Sequence, residues 1–175
     1  MLGLEKGTVR LQSHTEQWHA AFAEEKKRLQ AAIGEFVESI EHVGSTSVCG
    51  IAAKPILDIA VAIGAQREGE KAIAPLENLG YEYRGEYGIK GRFYFVKGEP
   101  RTHHIHMLPV DSKEWRNHLF FRDYLCQNSA AAAEYDKLKR DLAKKNAGDR
   151  DAYTDGKADF VKKILGNQSK IKEKI

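Results

Sequence analysis

A chain of 175 residues, 42% hydrophobic and 30% charged, can fill one buried core beneath a solvated surface, so a folded single domain over residues 1–175 is the expectation and a disordered chain is excluded. A net charge of +3 is too small for a dedicated nucleic-acid surface, so nucleic acid is not an expected partner. No window approaches the roughly 20 apolar residues that cross a bilayer, the N-terminus lacks a signal-peptide core, and Cys49 and Cys126 sit in neither a CxxC pair nor a metal-ligand pattern and are too few for a disulfide scaffold; a cytoplasmic protein without a membrane partner is expected.

Thr8 to Leu11 reads as a short strand. After an N-cap candidate at Thr15, Trp18, Phe22, Leu29 and Ile33 recur at helical spacing up to Gly34. Val37 to Val43 and the β-branched run Pro55 to Ile63 predict two buried strands. Glu68 to Leu79 predicts a helix stopped by Gly80, followed by strands at Tyr81 to Arg84, Arg92 to Lys97 and His103 to Val110. From Ser112 the pattern turns helical, with breaks near Asn128-Ser129 and Ala147-Gly148, giving three closing helices. Strands and helices in this order describe an α+β or α/β protein, a mixed sheet covered by helices. Between Glu134 and Ile175 twelve Lys or Arg face eight Asp or Glu, ending in Lys170, Lys172 and Lys174. That tail attracts phosphates or is simply a solvated helix end whose cations suit the helix dipole.

Two constellations carry chemistry. The turn Gly44-Ser45-Thr46-Ser47 closes one strand with backbone N–H groups and three hydroxyls able to cradle phosphate oxygens. Asp58 then interrupts an apolar strand, where an unpaired carboxylate would cost several kcal/mol, so it needs a cation, a metal or strong donors. The second is His104 and His106, which project from one strand face while His103 and Ile105 project from the other. That pair is a neutral hydrogen-bonding set, a phosphate-binding pair if protonated, or, with Asp58 and His42, a ligand set for one divalent first-row metal ion. Cations also enter the apolar stripes of the closing helices at Arg122, Lys139 and Lys157. They either snorkel to water or point across the sheet at an anion held by the Gly44-Ser45 turn.

These segments together resemble the GrpB family along nearly the whole chain. The resemblance rests on Glu41-His42-Val43-Gly44-Ser45-Thr46-Ser47-Val48, Ala53-Lys54-Pro55-Ile56-Leu57-Asp58-Ile59, His104-Ile105-His106, Phe121-Arg122-Asp123-Tyr124-Leu125 and Tyr135-Asp136-Lys137-Leu138-Lys139. The family is classed in the nucleotidyltransferase superfamily, and in some bacteria a similar domain is fused to dephospho-CoA kinase. The resemblance therefore implies a nucleotidyltransferase-like mixed sheet with the C-terminal helices closing a cleft. It also implies a nucleotide or phosphorylated small molecule as ligand, and transfer of a nucleotidyl or phosphoryl group. Ser45, Thr46 and Ser47 would hold phosphate, Lys54, Arg92, Lys139 and Lys157 would neutralise it, and Asp58 with His104 or His106 would handle a proton or one metal ion. Two departures matter: Ala60 stands where the superfamily carries a second carboxylate, and Cys49 stands where the family usually has proline. A single acid cannot clamp two Mg²⁺ ions in the usual way, which keeps two other readings open. One is a non-catalytic ligand-sensing module, and the other a single-metal hydrolase using His42, Asp58, His104 and His106.

Overall fold

The computed structural model describes residues 1–168. Five strands, β1 (Ser39–Val43), β2 (Leu57–Ile63), β3 (Tyr81–Tyr83), β4 (Phe93–Lys97) and β5 (His103–Pro109), form one sheet in the order β1-β2-β5-β4-β3. β2 and β5 run parallel, while β1–β2, β4–β5 and β3–β4 are antiparallel. The helices are α1 (Gln17–Ile33), α2 (Gln66–Asn78), α3 (Lys113–Gln127), α4 (Ser129–Lys145), α5 (Arg150–Asp155) and α6 (Ala158–Leu165). None of the helices among the described residues is long and apolar enough to cross a membrane.

Side-chain alternation divides the sheet cleanly. Leu57, Ile59, Val61 and Ile63 of β2, with Phe93, Phe95, Ile105 and Met107, face Trp18, Leu29 and Ile33 of α1 and Ala72 and Leu76 of α2. Each Val, Leu, Ile, Phe or Met side chain among them, fully buried, contributes about 1.5–3 kcal/mol. The opposite face is apolar at one end only: Val43, Ala60, Ala62 and Leu108 pack on Trp115 of α3. Small residues there let α3 approach closely. The other end of that face carries Asp58, His104, His106 and Tyr94, and it is the part left open. A third cluster, including Val48, Ile51, Leu125, Tyr135, Phe160 and Ile164, ties α3, α4 and α6 to the loop before β2.

Two expected elements differ. Thr8 to Leu11 forms no strand; the nearby chain makes single bridges at Leu4 with Arg101 and at Gln12 with Ala53, and Val9 donates to the Ala147 carbonyl ahead of α5. The backbone groups of that segment are thus answered by loops and not by a ladder. After the break at Asn128, whose Oδ1 accepts from the Ala131 N–H at 3.1 Å to start α4, the C-terminal part holds two further helices among the described residues where one was expected. Between them Gly156 packs close to α4, where an added Cβ would lie 2.5 Å from the Leu142 side chain, and α6 begins at Ala158. The tail lysines 170, 172 and 174 lie outside the described residues.

Candidate functional site

The open end of the sheet faces a cleft of about 1030 Å³, closed on its far side by α4, α5 and the start of α6. At its floor stands Asp58. The β2–β5 register places Asp58 directly opposite His104 and Ala60 opposite His106. His104 Nδ1 lies 2.9 Å and His106 Nε2 3.5 Å from the same oxygen, Asp58 Oδ1. On the other side of the His106 ring, Arg92 Nη1 approaches Nδ1 at 3.2 Å. A guanidinium only donates, so His106 Nδ1 accepts and the ring proton sits on Nε2, turned toward Asp58. Both imidazoles therefore address Oδ1 and leave Oδ2 facing the cleft.

Burial opposes ionisation of Asp58, but the hydrogen bonds from His104 and His106 outweigh it and hold the carboxyl well below the usual carboxylate range. Burial dominates at His104 and pulls it below the ordinary imidazole value against the attraction of Asp58. Asp58 is thus an ionised acceptor beside a neutral His104. His118 of α3, its ring 4.8 Å from His106, is pushed down to about 3 by burial and then by His106, so it lines the cleft as a neutral ring.

Gly44 closes β1 against this carboxylate. Its φ is +70°, and a Cβ would stand 2.6 Å from Asp58 Oδ2, so no other residue fits without moving the acid. Ser45 lines the cleft, as does Tyr135 of α4. Ser47 Oγ donates to the Gly44 carbonyl at 2.6 Å, and Thr46 is bonded to His42 Nε2 at 3.0 Å. Of the three hydroxyls expected at a phosphate, two instead hold the turn in shape.

The cations separate in the same way. Lys54, in the loop before β2, and Lys157, just ahead of α6, place Nζ 5.3 and 4.5 Å from the centre of the Tyr153 ring, and Arg150 of α5 also lines the cleft. None of these three pairs with a carboxylate within 4.0 Å among the described residues. Burial, then repulsion from Lys157 and Arg150, lowers Lys54 to about 8. Arg92 is committed structurally as well: it donates to the Glu86 and Tyr87 carbonyls and lies over Tyr94.

Three expected site residues lie elsewhere. His42 pairs with Ile59 in the β1–β2 register and so projects on the α1 side, stacked on Phe22; it cannot join Asp58 in a ligand set. Arg122 turns to β1, bonding Glu41 Oε2 at 2.9 Å and the His42 carbonyl at 3.0 Å. Lys139 is 1% exposed and donates to the Ala52 carbonyl beneath Tyr135, so it braces the loop leading to Lys54 and does not line the cleft. The sequence reading missed His118, Tyr94, Tyr87 and Arg150. His118 sits three residues after Trp115 on one turn of α3, which was a usable signal; the loop carrying Tyr87 gave none.

These placements also test the metal set. His104 Nδ1 points its proton at Asp58, His106 Nδ1 faces a guanidinium, and His42 is on the other face, so the three imidazoles and Asp58 do not form a preformed metal cage. Ala60, opposite His106, leaves no second carboxylate for a two-metal clamp.

The fold is of nucleotidyltransferase type: the Cid1 poly(U) polymerase, solved with its product ApU, superposes with a TM-score of 0.52 over 75% of this chain and 42% of that one, at 16% identity. At the level of family the match is specific. The family described as GrpB protein matches residues 8–167, and the chain belongs to it. The glutamate-rich protein GrpB of Alkalihalophilus pseudofirmus is 39% identical over 94% of this chain and 98% of its own length. The UPF0157 protein YqkA of Bacillus subtilis is 36% identical over 96% of this chain but is spanned over only 49% of its length. The crystal structure of the conserved protein GrpB from Enterococcus faecalis matches with a TM-score of 0.85 at 38% identity, covering 90% of this chain and 96% of that one.

Proposed function

We propose that the cleft binds a nucleotide or a related phosphorylated small molecule, its phosphates between Lys54, Lys157 and Arg150 near Ser45, and its base against the Tyr87–Tyr94 pair. The observation that carries this reading is the trio of cations without carboxylate partners among the described residues, which repel one another at a cleft about 1030 Å³ in volume. Phosphate oxygens between them would replace repulsion by charge-assisted hydrogen bonds. Tyr87 supports the second half: it is 70% exposed, lies at the cleft margin, and stacks on Tyr94 with ring centres 5.0 Å apart. Its free face suits a nucleobase.

Binding is better supported than transfer. Asp58, held ionised by two imidazoles, is a weak proton acceptor at neutral pH, and with Ala60 beside it the two-metal route to nucleotidyl transfer has no second acid. Asp58 Oδ2 instead accepts from a ligand hydroxyl or amine. Calorimetry with nucleoside mono-, di- and triphosphates tests this. Saturable binding is expected in the wild type, weakened about tenfold or more by Lys54→Ala and by Tyr87→Ala, with no turnover. Negligible heat across the panel would remove the proposal, and turnover abolished by Asp58→Asn would replace it with a catalytic one.

A further inference from the structure

A second cluster lies away from the cleft, on the α1 side of the sheet. His14 precedes α1, His19 lies in its first turns, and Cys49 follows the short helical turn Ser45–Ser47 by two residues. One ligand atom from each of the three lies within 4.8 Å of the others. Cys49 Sγ stands 3.7 Å from His19 Nε2. For tetrahedral zinc, with Zn–S near 2.3 Å and Zn–N near 2.0–2.1 Å, a sulfur and a nitrogen on one ion are about 3.6 Å apart. Two of the three atoms are therefore already spaced as ligands of one ion, and a modest rotation of the third side chain closes the set.

A separate observation points to the same place. His14 Nε2 is buried with no hydrogen-bond partner among the described residues. A buried imidazole nitrogen left unanswered keeps its desolvation cost, and an ion would answer it.

We propose that His14, His19 and Cys49 form a binding site for a zinc-class divalent ion, with the fourth position open to water on the exposed side of Cys49. One thiolate and two imidazoles favour zinc or cobalt over magnesium or calcium, which take oxygen ligands. The ligands come from two segments thirty residues apart, so no local motif encodes the site. The ion would pin the Gly44–Gly50 loop, which carries Ser45 at the cleft, to the start of α1. The inference does not depend on what the cleft binds.

The test uses full-length protein without an affinity tag, reduced with a phosphine, and titrated with Co²⁺. One equivalent is expected, with a thiolate-to-cobalt charge-transfer band that Zn²⁺ displaces. Cys49→Ser should abolish the band and His19→Gln should weaken zinc binding at least tenfold, while Asp58→Asn should leave both unchanged. Cys49 is exposed, so the serine variant should unfold at the wild-type temperature, which separates loss of a ligand from loss of fold. Absence of the band in the wild type, wild-type zinc affinity in Cys49→Ser, or loss of the ion in Asp58→Asn would each overturn the site.

Discussion

Glu25 and Asp58 are carboxylates set against opposite faces of one sheet, and their partners make them different things. Glu25, 4% exposed, receives Lys97 Nζ at 2.7 Å and the Tyr81 hydroxyl at 2.8 Å, with Arg28 at 3.5 Å. Burial raises its pKa, but those two hydrogen bonds and the charge of Lys97 bring it below the ordinary value. Its charge is fully answered from within the protein. Asp58 is answered on one oxygen only, by two imidazoles, and presents the other to the cleft beside Gly44. The lysines repeat the contrast: Lys139 ends on the Ala52 carbonyl, while Lys54 and Lys157 end near an aromatic ring and open space. A buried charge therefore marks a site when its partners leave part of it unanswered, and burial alone does not make that distinction.

The largest effect that would break this comparison is at Glu25. Glu25→Ala removes the partner of a half-buried Lys97 and of the Tyr81 hydroxyl, and should cost about 3 kcal/mol, near the low end for a broken buried pair because Lys97 reaches water. Denaturant unfolding measures it, and nucleotide affinity, where the variant stays folded, should be unchanged. A loss below about 1 kcal/mol would mean that Glu25 is not satisfied in the way described.

A smaller effect sharpens the contrast between the lysines. Lys139→Met leaves the Ala52 carbonyl without its donor and should destabilise by about 1–3 kcal/mol. Lys157→Met removes one of three repelling cations and should cost little stability, yet lower phosphate affinity about tenfold. Paired unfolding curves and calorimetry would show the two losses on different axes. If both variants lost stability alone, Lys157 would belong with Lys139 as a brace.

Much of this was legible in the sequence, and what was not has a physical reason. Alternation along His103 to Val110 placed His104 and His106 together because strand geometry fixes the side of every second residue. The same rule, applied across strands, needs the register, and only the Val43–Asp58 pairing shows that His42 faces away. Helical stripes put Lys139 and Lys157 on inward faces alike. Which of them meets a carbonyl and which meets a cleft depends on the loop at Ala52 and on the break at Gly156, both set by tertiary packing. Thr46 and Ser47 lie in the turn, but the Ser47 hydroxyl bonds the Gly44 carbonyl, as short polar side chains often do, and the Thr46 hydroxyl meets His42 Nε2.

The subtlest consequence is a dependence on pH set by Lys54. Folding lowers it from 10.5 to about 8, by burial first and by Lys157 and Arg150 next, against a weaker pull from Asp58. Below about 8 the folded and unfolded chains both hold the proton, so this lysine gives stability no slope there, and its full penalty is present. Between about 8 and 10.5 the unfolded chain holds more protons, so stability contributed by this group rises with pH. Phosphate between the cations reverses the order: it favours charged Lys54, so binding in that window takes up a proton and weakens as pH rises, approaching about tenfold per pH unit. The ligand's phosphate, with its second pKa near 6, is already fully ionised there and adds no slope. Calorimetry in buffers of different ionisation enthalpy should show proton uptake near pH 9 in the wild type. Lys54→Arg, which stays charged, should bind without it and with a flat affinity over the same range. Equal proton uptake in both proteins would move the effect to Lys157, which burial also lowers, and would leave Lys54 outside the phosphate site.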